Sequence, residues 1–204
     1  MPEKKKIDKK LEKIIDFIFE VGTARNIIRS HNQVLRQAND SIASHSFRVA
    51  IIGLMLADLE KADSDKVVKM CLLHDLAEVR TGDSNFINKF YRIEKEKEAV
   101  IDQWSGMPGE KETIKLLAEY GGRKTREAII AKDADSLDQI FLQKEYLSDK
   151  PYDFKKWHEH SVRSLKTVLA RKIAEKASKT NPLKWVDNFE RAQKRGEKHH
   201  VNQD

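Results

Sequence analysis

Histidines and aspartates set in apolar surroundings are the residues of this chain with the most chemistry to offer. His74 and Asp75 stand side by side behind Met70-Cys71-Leu72-Leu73, in a stretch whose flanks should be buried. An ionised carboxylate placed there without a partner is costly, so Asp75 needs a cation. His45 opens another apolar stretch, and Asp133, Asp135 and Asp138 crowd within six residues of a third. Such carboxylates repel one another unless something positive gathers them. Imidazoles and carboxylates without a thiolate make a borderline-hard donor set, suited to divalent Mn, Fe, Co, Ni or Zn, with Mg also admissible. The lone Cys71 reads as a small core residue, because no base is placed in sequence to activate it.

Two longer patterns surround these residues. One is Asp40-Ser-Ile-Ala-Ser-His-Ser-Phe-Arg-Val-Ala50. The other is His74-Asp-Leu-Ala-Glu-Val-Arg-Thr-Gly-Asp83. The order His, then His-Asp, then Asp resembles the HD superfamily of metal-dependent phosphohydrolases. The second block is similar to that of the 5′-deoxynucleotidase branch, with the resemblance extending over about residues 25–150. It implies one divalent metal held by His45, His74, Asp75 and Asp135. Asp135 is chosen because Lys132-Asp-Ala-Asp135 and Glu145-Tyr146 reproduce the family's context. Asp138, one turn later, is then expected to orient a ligand, and Asp133 to be a solvent-facing charge.

The resemblance also implies a reaction. Glu78 lies one turn beyond His74 and Asp75, and it matches the residue that moves a proton or positions water, with Asp75 at its side in the catalytic pair. A surface acid is the plain alternative for Glu78. Asp83, Ser84 and Lys89 are expected to meet substrate, as is Arg29, whose fork suits phosphate. His31 stands where the branch carries Trp, and Ser44 replaces the acid before the first His, so deoxyribose against ribose stays open. Leu76 to Ala134 contains no histidine, which favours a mononuclear centre over the two-metal phosphodiesterases. The implied activity is hydrolysis of a nucleoside 5′-monophosphate to nucleoside and phosphate. Triphosphate hydrolysis, phosphodiester cleavage or non-catalytic nucleotide binding are the alternatives, and a homodimer is expected.

The elements that must position these residues are helices, since apolar spacings of three and four dominate. Ile7, Leu11, Ile14, Ile15, Ile18 and Phe19 predict an amphipathic first helix ending near Gly22. A short helix from Thr23 to about Arg29 and a polar loop over 30–43 follow. Ser44 is expected to cap a helix over His45–Leu59, and Ser64 to open one reaching about Arg80, stopped by Gly82. Further helices are expected over about 88–104, 110–120, 124–148, 154–178 and Pro182 to about Arg195. The expected fold class is all-α, a single HD-domain bundle over residues 1–204 with additional terminal helices. Trp104, Trp157 and Trp185 are read as packing residues. His158 and His160 are read as surface residues, and His199-His200 as incidental.

Composition narrows the rest. The chain of 204 residues holds 39 Lys+Arg and 33 Asp+Glu, a balance of 39 − 33 = +6. Its basic pI invites nucleic acid, yet residues 1–13 alone hold six Lys against three acids, and no basic stripe interleaves with aromatics. Eight Gly and four Pro are too few for a β-sandwich. One Cys excludes an internal disulfide and points to a reducing, cytoplasmic setting. The apolar run Val49–Ala57 falls well short of the roughly 20 residues that cross a bilayer, so no membrane partner is expected.

Overall fold

The computed structural model describes residues 2–35, 39–93, 95–147, 151–191 and 193. Among them the structure is all-α. The only β pairing there is an isolated antiparallel bridge between Ile28 and Ser41. Helix α1 spans Pro2–Gly22, and a 3₁₀ turn follows over Thr23–Asn26. The helix expected through Arg29 stops early because the chain is pulled into extended pairing. Arg29 N–H donates to Asp40 O (3.0 Å) and Ile42 N–H to Ile27 O (3.0 Å). After a single turn, α2 (Asn32–Leu35), comes the central helix α3 (Ile42–Glu60).

Ser41, not Ser44, caps α3. Ser41 has the extended backbone of a cap residue, and its hydroxyl accepts the Ser44 N–H. Ser44 returns the bond to the Ser41 N–H (2.8 Å), closing a capping box. Helix α4 opens at Ser64 as expected (Ser64–Leu73), with Asp63 as its cap. Helix α4 ends seven residues before Arg80. The Cys71 carbonyl, which a continuing helix offers to the N–H of residue 75, accepts from the His74 ring (2.8 Å). The chain then tightens into i→i+3 bonds, with Leu76 N–H on Leu73 O (3.1 Å) and Glu78 N–H on Asp75 O (3.0 Å). A short α5 (Glu78–Thr81) ends at Gly82, whose φ of 75° favours glycine.

The helix expected over 88–104 is two, α6 (Phe86–Tyr91) and α7 (Glu96–Trp104). Between them Arg92 is extended and Ile93 is 95% exposed, so its side chain gains no burial from a helix there. Helices α8 (Glu110–Gly122) and α9 (Arg126–Leu147) match expectation closely. The long helix expected over 154–178 divides into α10 (Pro151–Ser164) and α11 (Val168–Ser178). The last expected helix begins later than Pro182: residues 182–185 form turns and 186–191 are helical.

Helices α3, α4 and α9 pack together around Val49, Leu56, Val67, Met70, Ala131, Ala134 and Leu137, and α11 adds Ala170 and Ala174 to the same core. Gly53 marks the closest approach, because a Cβ built on it lies 2.6 Å from Cys71 Sγ. Helix α3 is long and apolar enough to cross a membrane by length and composition, but here its inner face is this core. Trp104 meets Phe17 edge-on (5.1 Å), Trp157 packs on Leu142 and Leu147, and Trp185 is 66% exposed, contrary to a core role.

Candidate metal centre

Three core helices bring the chemistry-bearing residues to one point. His45 sits in the first turn of α3, His74 and Asp75 just past the end of α4, and Asp135 in the middle of α9. His45 Nε2 lies 3.3 Å from His74 Nε2, 3.4 Å from Asp75 Oδ2 and 3.3 Å from Asp135 Oδ1. His74 Nε2 lies 3.3 Å from Asp75 Oδ2 and 3.9 Å from Asp135 Oδ1. Those four atoms converge from three helices.

The outer ring nitrogens are already engaged. His74 Nδ1 bonds the Cys71 carbonyl, which can only accept, so Nδ1 carries the proton and Nε2 a lone pair. His45 Nδ1 bonds Asp138 Oδ2 at 2.7 Å. With both rings neutral, as metal ligation requires, two imidazole lone pairs and two carboxylate oxygens face one another. Such a donor set, two nitrogens and two oxygens with no sulfur, fits a divalent metal ion. His45, His74 and Asp135 form a compact potential ligand group by themselves.

The electrostatics carry the same sign. Burial opposes charge on His45, but Asp135, Asp138 and Asp75 outweigh it and raise its pKa well above the usual range. Burial raises Asp75, yet His74, His45 and Arg29 hold it well below the ordinary carboxylate range. Asp135 is also held well below that range, against burial, by Lys132 and the two imidazoles. Its Oδ2 accepts from Lys132 Nζ (2.5 Å) and Tyr120 OH (3.4 Å).

Glu78 and Arg29 border the cluster. Glu78 is buried, and its Oε2 has no hydrogen-bond partner. Burial first, then the charges of Asp75 and Asp83, push its pKa up to about 9, with Arg29 and Lys89 opposing. Arg29 Nη1 donates to Asp75 Oδ2 (2.5 Å), while its buried Nε lies 3.6 Å from Asp83 and makes no hydrogen bond. Burial works against the Arg29 charge, but Asp75, Asp83, Asp135 and Glu78 raise its pKa.

Asp83 is occupied by the Arg29 loop. It accepts from Ser30 N–H (2.8 Å) and Ser30 Oγ (3.2 Å). Ser84 is buried beside it, and Lys89 contributes positive charge toward Glu78. His31, at the position that departs from the family pattern, places Nε2 3.3 Å from Asp40 Oδ2.

Asp133 corrects the sequence expectation. It is 1% exposed, and its two oxygens take the N–H groups of Lys166 (2.8 Å) and Thr167 (2.7 Å). The break between α10 and α11 exists where those bonds are made. His160 is exposed and His158 half-buried on α10, and His199-His200 lie outside the described residues.

Sequence reasoning missed three neighbours of the cluster. Arg48 donates to Asp138 and, through Nη1, to both Glu145 oxygens (2.8 and 3.0 Å). Its place one helical turn after His45 was the available signal. Tyr120 packs its ring 5.3 Å from that of His74, and nothing local in sequence announced it. Lys132 was visible only as part of a motif.

The HD domain family model matches residues 21–177. The Dictyostelium discoideum protein named 5′-deoxynucleotidase HDDC2 is 35% identical over 119 residues, which is 52% of this chain and 63% of that protein's length. The Danio rerio protein of the same name is 27% identical over 192 residues, 83% of this chain and 94% of its own. A solved structure of a conserved hypothetical protein from Pyrococcus furiosus superposes with a TM-score of 0.68 at 28% identity, covering 81% of this chain and 99% of that one.

Proposed function

Since the chain belongs to the HD domain family, we propose that it is a metal-dependent phosphohydrolase that releases phosphate from nucleoside 5′-monophosphates. The observation that carries this reading is the meeting of His45 Nε2, His74 Nε2, Asp75 Oδ2 and Asp135 Oδ1, with both Nδ1 atoms bonded outward. These four residues hold one divalent transition metal, with Mn, Co, Fe, Ni or Zn matching the donor set and Mg a weaker match. When bound, the ion supplies positive charge against phosphoryl oxygens and acidifies water.

The surrounding side chains do the rest. Glu78 Oε2, buried and unpaired, is the group that passes a proton during P–O cleavage. Arg29 presents a buried N–H without a hydrogen-bond acceptor, and its fork matches phosphate. Asp83 keeps the Arg29 loop in place through Ser30, so in this reading its role toward substrate is indirect. Lys89 and Ser84 are the further substrate contacts in this reading. The names of the Dictyostelium and Danio relatives favour a deoxynucleotide. The same reading takes the chain as a single cytoplasmic domain that forms homodimers.

A metal-by-substrate screen on purified protein tests this reading, with ribo- and deoxynucleoside monophosphates side by side and free phosphate as the readout. Metal-dependent phosphate release is expected. His74→Ala and Asp75→Ala should lose both bound metal and turnover, and retention of either sinks the assignment. Glu78→Ala should keep the metal and lose about a hundredfold in kcat or more. A variant that loses the metal instead makes Glu78 structural. Light scattering on the eluting protein checks the homodimer.

A further inference from the structure

We propose that Arg48 is a positioning residue for the metal centre, fixing the Asp138 carboxylate and through it the ring of His45, with Glu145 as its outer anchor. The inference rests on the reading that His45, His74, Asp75 and Asp135 hold a divalent ion.

Asp138 has two oxygens, and each has one task. Oδ2 takes the His45 Nδ1 proton at 2.7 Å, and Oδ1 takes Arg48 Nε. The Asp138 backbone carbonyl accepts from Arg48 Nη2 as well (3.4 Å). A carboxylate held by one hydrogen bond can turn about its side-chain bonds. The second bond, from a planar guanidinium, sets its plane.

The guanidinium is fixed in turn, because Nη1 spans both oxygens of Glu145 at 2.8 and 3.0 Å. A planar fork bonded along two edges has little freedom left. His45 and Arg48 are one turn apart on α3, and Asp138 and Glu145 two turns apart on α9. The four side chains thus form a belt across the two helices, aiming His45 Nε2 at the point where α4 delivers His74.

Exposure rises along the belt, from 1% at the His45 side chain and 2% at Asp138 to 34% at Arg48 and 37% at Glu145. The inner members are dry and rigid, and the outer members can be changed without opening the core. Losing a residue that orients a metal ligand typically weakens metal affinity by about 10–100-fold. Glu145, singled out in sequence only as half of a Glu-Tyr pair, acquires a physical task by this route.

The test titrates metal-stripped full-length protein with Co²⁺, reading both affinity and the visible bands that report ligand geometry. Wild type should bind one equivalent. Arg48→Ala should weaken binding about tenfold or more and shift the bands. Arg48→Lys should recover little, since one ammonium cannot hold both carboxylates. Glu145→Gln, an outer substitution that leaves the fold intact, should weaken binding by a smaller factor in the same direction. Adding Arg48→Ala to Asp138→Asn should cost little more than Asp138→Asn alone, because both act through one atom chain.

An Arg48→Ala protein that melts lower but keeps affinity and bands overturns the inference. If Arg48→Ala does not fold, unchanged affinity and bands in Glu145→Gln overturn it instead. Failure of wild type to bind any ion overturns the underlying reading.

Discussion

Asp133 and Asp135 are two residues apart on the same helix, and each is solved by opposite means. Asp133 points to the turn between α10 and α11 and finds two backbone N–H groups waiting there. Asp135 points across the bundle to two imidazole lone pairs and a second carboxylate. The first carboxylate is satisfied by the fold. The second is brought among groups that share its need for a cation, with Lys132 and Tyr120 on its other oxygen. Structural and functional acids can thus look alike in burial, and they are told apart by what their neighbours can donate.

The largest expected effect that tests this division is on Asp135→Ala. Bound metal and phosphatase turnover should fall below detection, while the metal-free variant melts no lower than metal-free wild type. A large drop in melting temperature erases the distinction. Asp133→Ala should show the converse. Two partly buried N–H groups lose charged acceptors, for about 2–3 kcal/mol of stability in urea unfolding, with metal affinity in the folded protein unchanged.

Gly53→Ala should touch both properties. The added methyl meets Cys71 Sγ at 2.6 Å and Val67 Cγ1 at 3.1 Å, pressing apart the helices that carry His45 and His74. About 1–3 kcal/mol of destabilisation is expected from such overpacking, together with a measurable weakening of metal binding. Unchanged affinity would show that α3 and α4 need not be held so closely.

The smallest effect lies at the surface. Arg80 Nε and Nη2 donate to Glu20 (2.6 and 2.8 Å), and this bond, against burial and helped by Gln103, lowers the Glu20 pKa below 4.5. The folded pKa is depressed, so the stabilisation is full above the ordinary glutamate value and is lost as pH falls through the lowered one. For a pair this exposed it amounts to less than about 1 kcal/mol. Denaturation profiles of Glu20→Gln and wild type should converge in acid and separate slightly above pH 5.

Much of this was legible in the chain. Helical periodicity located most elements, and the family resemblance carried by the blocks around His45, His74-Asp75 and Asp135 pointed to the cluster that the bundle assembles. Helix ends were harder to read. Ser41, Ser44, Asp63 and Ser64 all suit an N-cap, and tertiary pull on residues 27–29 decided one case. The break after Leu73 depends on a histidine ring taking a helix carbonyl, and the break after Ser164 on Asp133, 33 residues away from Lys166. Asp133 itself was misread because its partners are backbone groups, which no side-chain pattern displays.

The tight turn that follows α4 has a consequence for how this chain can change length. With i→i+3 bonding, residues three apart stack on one edge, so Asp75 and Glu78 share an edge of the turn beside His74. One inserted residue between them would rotate everything beyond by roughly 100–120°, carrying Glu78 out of the cluster and Gly82 out of its turn. Lineages of this fold should therefore gain and lose residues around 92–93 or 105–109, where the chain is exposed, and keep the count from His74 to Asp83 constant even where the letters between them drift.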